Sequence, residues 1–222
     1  MSYFVTGTDT NVGKTLISCA LLHGFAAQGL RAVGFKPVAA GCDDHDHNED
    51  ALLLRAAGNV LATYGQVNPY CFTRAVAPHL AAQFAGIRIN LERIVTSYNE
   101  LATQADVVIV EGAGGFCVPL NDEQDGADLA KNLNIKVIMV VGMRLGCLNH
   151  ALLTMDAISR RGLKLAGWVA NCVEGDMAML NENIAALVQR IKAPLLGVVP
   201  YYSAKPDAQS VAACLNWEQL SR

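Results

Sequence analysis

Hydrophobic and polar positions along this chain fall into short apolar runs separated by longer segments with helical spacing. The first run, Tyr3-Phe4-Val5, leads into a polar loop over residues 6–15 and then into the apolar stretch Leu16-Ile17-Ser18-Cys19-Ala20-Leu21-Leu22, which stops at Gly29. That order predicts strand, loop and helix. Further apolar runs at 31–38, 106–111, 136–141, 163–171 and 194–200 predict five more strands, and a short extended piece is expected at 67–72. Between them, Leu91, Ile94, Val95, Tyr98 and Leu101 recur at helical spacing behind a capping Asn90, and Pro78 suits the first position of another helix. Asp125 leads a helix ending near Asn134, a helix follows Asn149 and stops at Gly162, and another is expected over 178–191. Six strands alternating with helices imply an α/β fold, a mostly parallel sheet flanked by helices in three layers. No linker and no repeat of fixed period interrupts it, so residues 1–222 are read as a single domain.

The loop after the first strand carries the clearest chemistry. It reads Thr6-Gly7-Thr8-Asp9-Thr10-Asn11-Val12-Gly13-Lys14-Thr15. A loop that opens a helix leaves backbone N–H groups unpaired where the macrodipole favours negative charge, which suits a polyphosphate. Lys14 would reach the β/γ-phosphates and the Thr15 hydroxyl would sit on Mg²⁺. The strict Walker A pattern wants glycine where Thr8 stands, and Gly7 comes one place early, so the motif is a variant. An ordinary strand-turn-helix with Gly and Thr making the turn is the plain alternative.

Three more positions follow from strand ends. Lys36 closes the second apolar run, at the edge where open α/β sheets bind ligands, although a solvated strand-end lysine has the same sequence appearance. Glu111 ends Val107-Val108-Ile109-Val110, a Walker B pattern in which the acid holds Mg²⁺, and Gly112-Ala113-Gly114-Gly115 supplies a backbone that can approach a phosphate. The turn Gly146-Cys147-Leu148-Asn149 presents N–H groups at a helix N-terminus and suits a second anion such as a substrate carboxylate. Asp50 reads as an N-cap. The polar run Asp43-Asp44-His45-Asp46-His47-Asn48-Glu49 invites a metal reading, but without regular ligand spacing it fits a solvated loop better.

Composition narrows the partners. A net charge of −3 with no Lys/Arg block argues against nucleic acid, and the longest apolar runs fall far short of the ~18 residues a membrane span needs. Tyr3 already belongs to a strand, leaving no room for a signal peptide, so a cytoplasmic protein is expected. Seven widely spaced cysteines without a Cys-x-x-Cys pair fit reduced thiols better than disulfides or a zinc site.

Together the loop 7–15, Lys36-Pro37-Val38, Val110-Glu111-Gly112-Ala113-Gly114-Gly115, Gly146-Cys147-Leu148-Asn149-His150 and Gly167-Trp168-Val169-Ala170-Asn171 closely resemble the dethiobiotin synthetase family of P-loop proteins, from the first strand to about Pro200. The resemblance implies ATP- and Mg²⁺-dependent ring closure of 7,8-diaminononanoate with CO2, giving dethiobiotin, ADP and phosphate, in a homodimer with the diamine at the subunit interface. It assigns Lys14 and Lys36 to catalysis and Thr15, Asp50 and Glu111 to Mg²⁺. Thr10, Asn11, Val12 and Gly13 would line the phosphate loop; Asn171, Pro200, Tyr201 and Tyr202 would face adenine, for which an Asn amide offers both donor and acceptor. The diamine would meet Ala40 and, through its carboxylate, the partner's turn of Gly146, Cys147, Leu148 and Asn149. Two positions depart from the family: Ser often stands where Ala40 does, and an acid where Asn11 does. The rival reading is an ATP-switch protein of the deviant Walker A partition-ATPase type, which carries a lysine where Asp9 stands here and adds a basic or amphipathic surface that this sequence lacks. Amidating relatives, which usually carry a long glutaminase extension with a Cys nucleophile, are a further rival, and no such extension is expected for a sequence that reads to Arg222.

Overall fold

The structure, a computed structural model, describes residues 1–204 and 206–220. Its main sheet has six strands: β1 (Ser2–Gly7), β2 (Ala32–Phe35), β5 (Val107–Gly115), β6 (Lys136–Met143), β7 (Leu165–Cys172) and β8 (Leu195–Val199), in the order β2-β5-β1-β6-β7-β8. Every pairing is parallel. The period-two alternation of side chains divides these strands between two apolar layers. Tyr3 and Val5 of β1 and Ile138 and Val140 of β6 pack with Leu21 and Leu22 of α1 (Lys14–Ala27). Phe4 and Val137 face the opposite layer, where they meet Ile94 and Leu101 of α5 (Leu91–Ala102), Leu129 of α6 (Gly126–Leu133) and Ile158 of α7 (Cys147–Arg160). Trp168 of β7 and Met139 of β6 extend that side under α7 and α8 (Leu180–Arg190).

The second apolar run divides in two. β2 stops at Phe35, and β3 (Val38–Ala40) pairs instead with β4 (Tyr70–Phe72) in a separate two-stranded sheet. Pro37 has no N–H to give to a ladder, and the Lys36 N–H goes to the carbonyl of Val67 at 2.8 Å, at the end of α3 (Tyr64–Val67). This small sheet also corrects the expectation of reduced cysteines: it sets Ala39 opposite Cys71 and brings the Cα atoms of Cys42 and Cys71 to 6.2 Å, where they form a disulfide. Cys147 and Cys172 remain buried thiols.

Two further boundaries differ from the sequence reading. The cap of α2 (Glu49–Ala57) is Asn48, whose side chain accepts the N–H groups of Asp50 and Ala51, so Asp50 lies inside the first turn. β5 does not end at Glu111 but runs on to Gly115 through an irregular register against β1. The polar run before α2 is a turn built on Asp43, whose carboxylate accepts the N–H groups of His45 and His47 at 2.9 and 2.8 Å. Pro78 opens α4 (Pro78–Phe84), Asn90 caps α5 and Asp125 caps α6. Beyond β8, α9 (Ala208–Ala212) and α10 (Trp217–Leu220) fold back over α1, with Trp217 edge-on to Phe25. Among the described residues no helix is long and apolar enough to cross a membrane.

Candidate nucleotide and substrate site

β1 lies in the middle of the sheet, so the loop that follows it emerges between β5 and β6 at the strands' carboxyl edge, where α/β sheets bind ligands. Gly13 precedes α1 with φ +90, and a side chain there would run into the Asn171 amide; both conformation and space require glycine. Asn11 has φ 58, in the left-handed region that Asn tolerates. No side chain caps α1. Its first N–H groups are therefore not taken by a capping side chain, as an anion site needs.

Beside this loop is a cleft of about 950 Å³. Its floor is polar: Thr10, Asn11, Gly13, Lys14 and Thr15 from the loop and α1, Lys36 beyond β2, Asp50 from α2 and Glu111 from β5. The rest of its lining is small and apolar, with Val38, Ala39 and Ala40 from β3, Ala75 to Pro78, Ala113 and Val118. Lys36 is 4% exposed and Glu111 0%, and the two form an ion pair at 2.6 Å. The same ammonium reaches Asp50 Oδ2 at 3.0 Å, and the Thr15 hydroxyl donates to Glu111 Oε1 at 2.9 Å. Glu111 Oε2 is buried without a hydrogen-bond partner.

The charges in this cluster tune one another. Burial works against the Lys36 ammonium, but Glu111 and Asp50 outweigh it and hold its pKa above the ordinary lysine value. Burial also works against the Asp50 carboxylate, and Lys36 more than compensates, so its pKa is lowered. Lys14 lacks so close an acid; burial dominates and lowers it to about 8. Its ammonium donates to the Asp9 carbonyl at 3.1 Å.

The sequence-named residues fall into three groups. Thr10, Asn11, Gly13, Lys14, Thr15, Lys36, Ala40, Asp50 and Glu111 meet in the cleft. Val12 is buried, and its carbonyl accepts the Asn171 amide at 2.9 Å. Asn171 stands opposite Val199 in the β7–β8 register, with Pro200 next in sequence and Tyr201 and Tyr202 partly exposed nearby on the chain; these lie on the other side of the loop from Lys36 and outside the cleft. The turn Gly146 to Asn149 opens α7, also outside the cleft, with Cys147 buried and Asn149 exposed.

Several positioning groups carry no motif. Asn68, 4% exposed, donates to the Lys36 carbonyl at 2.6 Å. The Tyr64 hydroxyl donates to Asn68 Oδ1 and accepts the N–H of Asn48, both at 2.8 Å. One tyrosine thus connects the backbone of Lys36 to the cap that orients Asp50. No sequence motif marks this link, since Asn68 caps the end of the tyrosine's own helix and Asn48 lies 16 residues away at the start of α2.

The family profile described as an AAA domain matches residues 1–206. The chain is similar to the ATP-dependent dethiobiotin synthetase BioD of Nitrosospira multiformis, 52% identical with 96% of this chain and 94% of that protein covered. The synthetases of Aromatoleum aromaticum and of Janthinobacterium sp. strain Marseille are 52% and 50% identical, each with 96% of its length covered. Among solved structures, the cell division ATPase MinD of Pyrococcus furiosus superposes with a TM-score of 0.58 at 15% identity, covering 99% of this chain and 98% of that one. The MinC:MinD complex of Aquifex aeolicus gives 0.56 at 13% identity, covering 91% and 82%. At such identities these neighbours share the P-loop NTPase fold alone, whereas the sequence relatives match along almost their whole length. With relatives 50–52% identical along almost their whole length, the chain belongs to the ATP-dependent dethiobiotin synthetase family.

Proposed function

We propose that this protein, a single P-loop α/β domain over residues 1–222, joins 7,8-diaminononanoate and CO2 at the expense of ATP to give dethiobiotin, ADP and phosphate, in the cytoplasm and as a homodimer. The observation that carries the reading is the Lys36–Glu111–Asp50 cluster set against Lys14 and an apolar wall in one cleft. An amine of the substrate adds to CO2 and loses a proton, giving a carbamate. A carbamate oxygen then attacks the γ-phosphorus of ATP, ADP leaves, and a carbamic-phosphoric anhydride results. The second amine attacks the carbonyl, closes the five-membered urea ring and expels phosphate.

The obstacle is charge. A carbamate and a γ-phosphate at about 4 Å repel by roughly 4 kcal/mol per unit charge pair at an effective dielectric near 20. Lys36 is held cationic by its two acids and in this reading neutralises the carbamate. Lys14 can exchange the Asp9 carbonyl for a phosphate oxygen, and anion binding would favour its charged form. Positioning and neutralisation of this kind dominate phosphoryl transfer. The apolar wall suits the diamine's methylene chain, and Ala40 in place of Ser removes a possible hydroxyl contact.

The cleft also fits Mg²⁺. The oxygen donors of Thr15, Asp50 and Glu111 are those a hard cation takes, and the unpartnered Glu111 Oε2 has capacity for it. When bound, Mg²⁺ would offset the negative charge of the phosphates. In this reading Thr10, Val12 and Gly13 follow the phosphates, Asn171 and residues 200–202 face the adenine, and Gly146 to Asn149 serve the partner subunit's substrate. A dimer gains support from Leu145 and Leu153, 97% and 61% exposed near that turn. The ATP-switch alternative is supported by fold likeness alone, at 12–17% identity.

The test is phosphate release from Mg-ATP and bicarbonate with and without the diamine. Release that requires the diamine and yields dethiobiotin is expected. Slow release indifferent to the diamine would overturn the reading.

A further inference from the structure

The phosphate-type loop is gripped from the β6 side as well as by Asn171. The Thr8 N–H donates to the carbonyl of Val140 at 3.0 Å, and Arg144, one residue beyond β6, brings Nη2 to 2.5 Å from Asp9 Oδ2. Asp9 in turn touches two groups that a polyphosphate would use. Its other carboxylate oxygen accepts the Thr10 N–H at 2.7 Å, and its carbonyl accepts from Lys14. Its charge is felt at the Lys14 ammonium. A carboxylate at this place repels any anion in the loop unless a cation offsets it. Lys14 and Lys36 are committed to the floor of the cleft, and Arg144 is the cation that touches the Asp9 carboxylate.

We propose that Arg144 is a positioning residue for nucleotide binding: its guanidinium neutralises the Asp9 carboxylate and holds it where it orders the Thr10 end of the loop without repelling the polyphosphate. This rests on the nucleotide reading of the loop. The pair is only partly buried, with 34% and 46% of the two side chains exposed, so the effect is open to salt screening. The Arg144 carbonyl also accepts the Cys147 N–H at 3.0 Å, which places the same residue at the start of α7.

The test separates charge from scaffolding. Binding of the non-hydrolysable analogue β,γ-imido-ATP with Mg²⁺ is measured by calorimetry on the full chain, beside steady-state kinetics. Arg144→Ala is expected to raise the analogue's Kd and the KM for ATP about five- to tenfold, with kcat and the diamine KM nearly unchanged. Arg144→Lys should recover part of the loss, and 0.5 M salt should shrink it. The double variant Asp9→Asn with Arg144→Ala removes both charges and should return to within about threefold of the parent. A purely structural arginine predicts a double variant at least as impaired as Arg144→Ala, and that result would overturn the proposal, as would an unchanged Kd in Arg144→Ala. If the parent binds the analogue yet makes no dethiobiotin, the synthetase reading fails while the ratios of Kd still decide the role of Arg144.

Discussion

β2 and β5 are bridged twice by a basic residue and an acid, once before the strands and once where β2 ends beside Glu111 inside β5, and the two ends of β2 behave differently. Before the strands, Arg31 and Asp106 pair at 2.8 Å with 61% and 39% of their side chains exposed. At the other end of β2, Lys36 pairs with Glu111 inside β5 at 2.6 Å, with 5% and 0% exposed. The outer pair is well formed: its guanidinium also donates to Asp106 Oδ2 at 3.2 Å and lowers that carboxyl to about 2. Water can replace nearly everything it does, and such pairs contribute little to stability. The inner pair has no such substitute. Two charges taken out of water require each other and further polar partners, which Asp50 and Thr15 supply only in part, since Glu111 Oε2 remains unpartnered. The difference teaches that pairing alone does not mark a site; pairing combined with burial and an unfilled polar valence does.

The largest effect should come from breaking the inner pair. Lys36→Ala is expected to lower dethiobiotin formation by about 10²–10³-fold and to cost the free protein roughly 3 kcal/mol, because Glu111 is left buried and unpaired; urea unfolding and product assays read the two losses separately. Tyr64→Phe tests the same end more gently. Loss of its hydroxyl should cost about 1–2 kcal/mol of stability and slow turnover several-fold, as the Asn48 and Asn68 groups lose their shared partner.

The next effect concerns Lys14, lowered to about 8 from the ordinary 10.5. Below about pH 8 the ammonium is present in folded and unfolded chains alike, and the folded chain bears the cost of burying it. Between about 8 and 10.5 the folded chain releases the proton while the unfolded chain keeps it. The unfolded state then binds more protons, so folded stability rises with pH across that window. Measured against Lys14→Met, in which other titrating groups cancel, the gain should approach but not exceed about 1.4 kcal/mol per pH unit. ATP binding should weaken over the same range. A stability difference independent of pH would show that Lys14 titrates normally. The smallest effect belongs to the outer pair: Arg31→Ala should leave activity unchanged and cause a small loss of stability that salt largely removes. A large loss there would break the contrast between the two ends.

Much of this was legible along the chain. The six strands of the main sheet, the loop before α1 and the caps Asn90 and Asp125 all follow from local patterns of period two, period 3.6 and capping chemistry. Lys36 was legible as a strand-end residue because a parallel sheet gathers its strand ends on one edge, whereas Glu111, expected to close its strand, lies inside β5, which continues to Gly115. The disulfide was not, since Cys42 and Cys71 are 29 residues apart and meet only when β3 leaves the main sheet to pair with β4. Asp50 was misread as a cap because Asp and Asn cap equally well, and only geometry selected Asn48.

By itself the sequence determined which segments become strands and helices, and that one loop, one lysine and one acid would lie at the same edge, because these follow from interactions between near neighbours on the chain. The tertiary structure alone decided that Lys36 is buried between two acids, that Tyr64 links it to the Asn48 cap, and that Arg144 meets Asp9 across 135 residues of sequence. Burial and long-range charge depend on which surfaces are packed together and closed to water, and that is settled only when the layers close around the sheet.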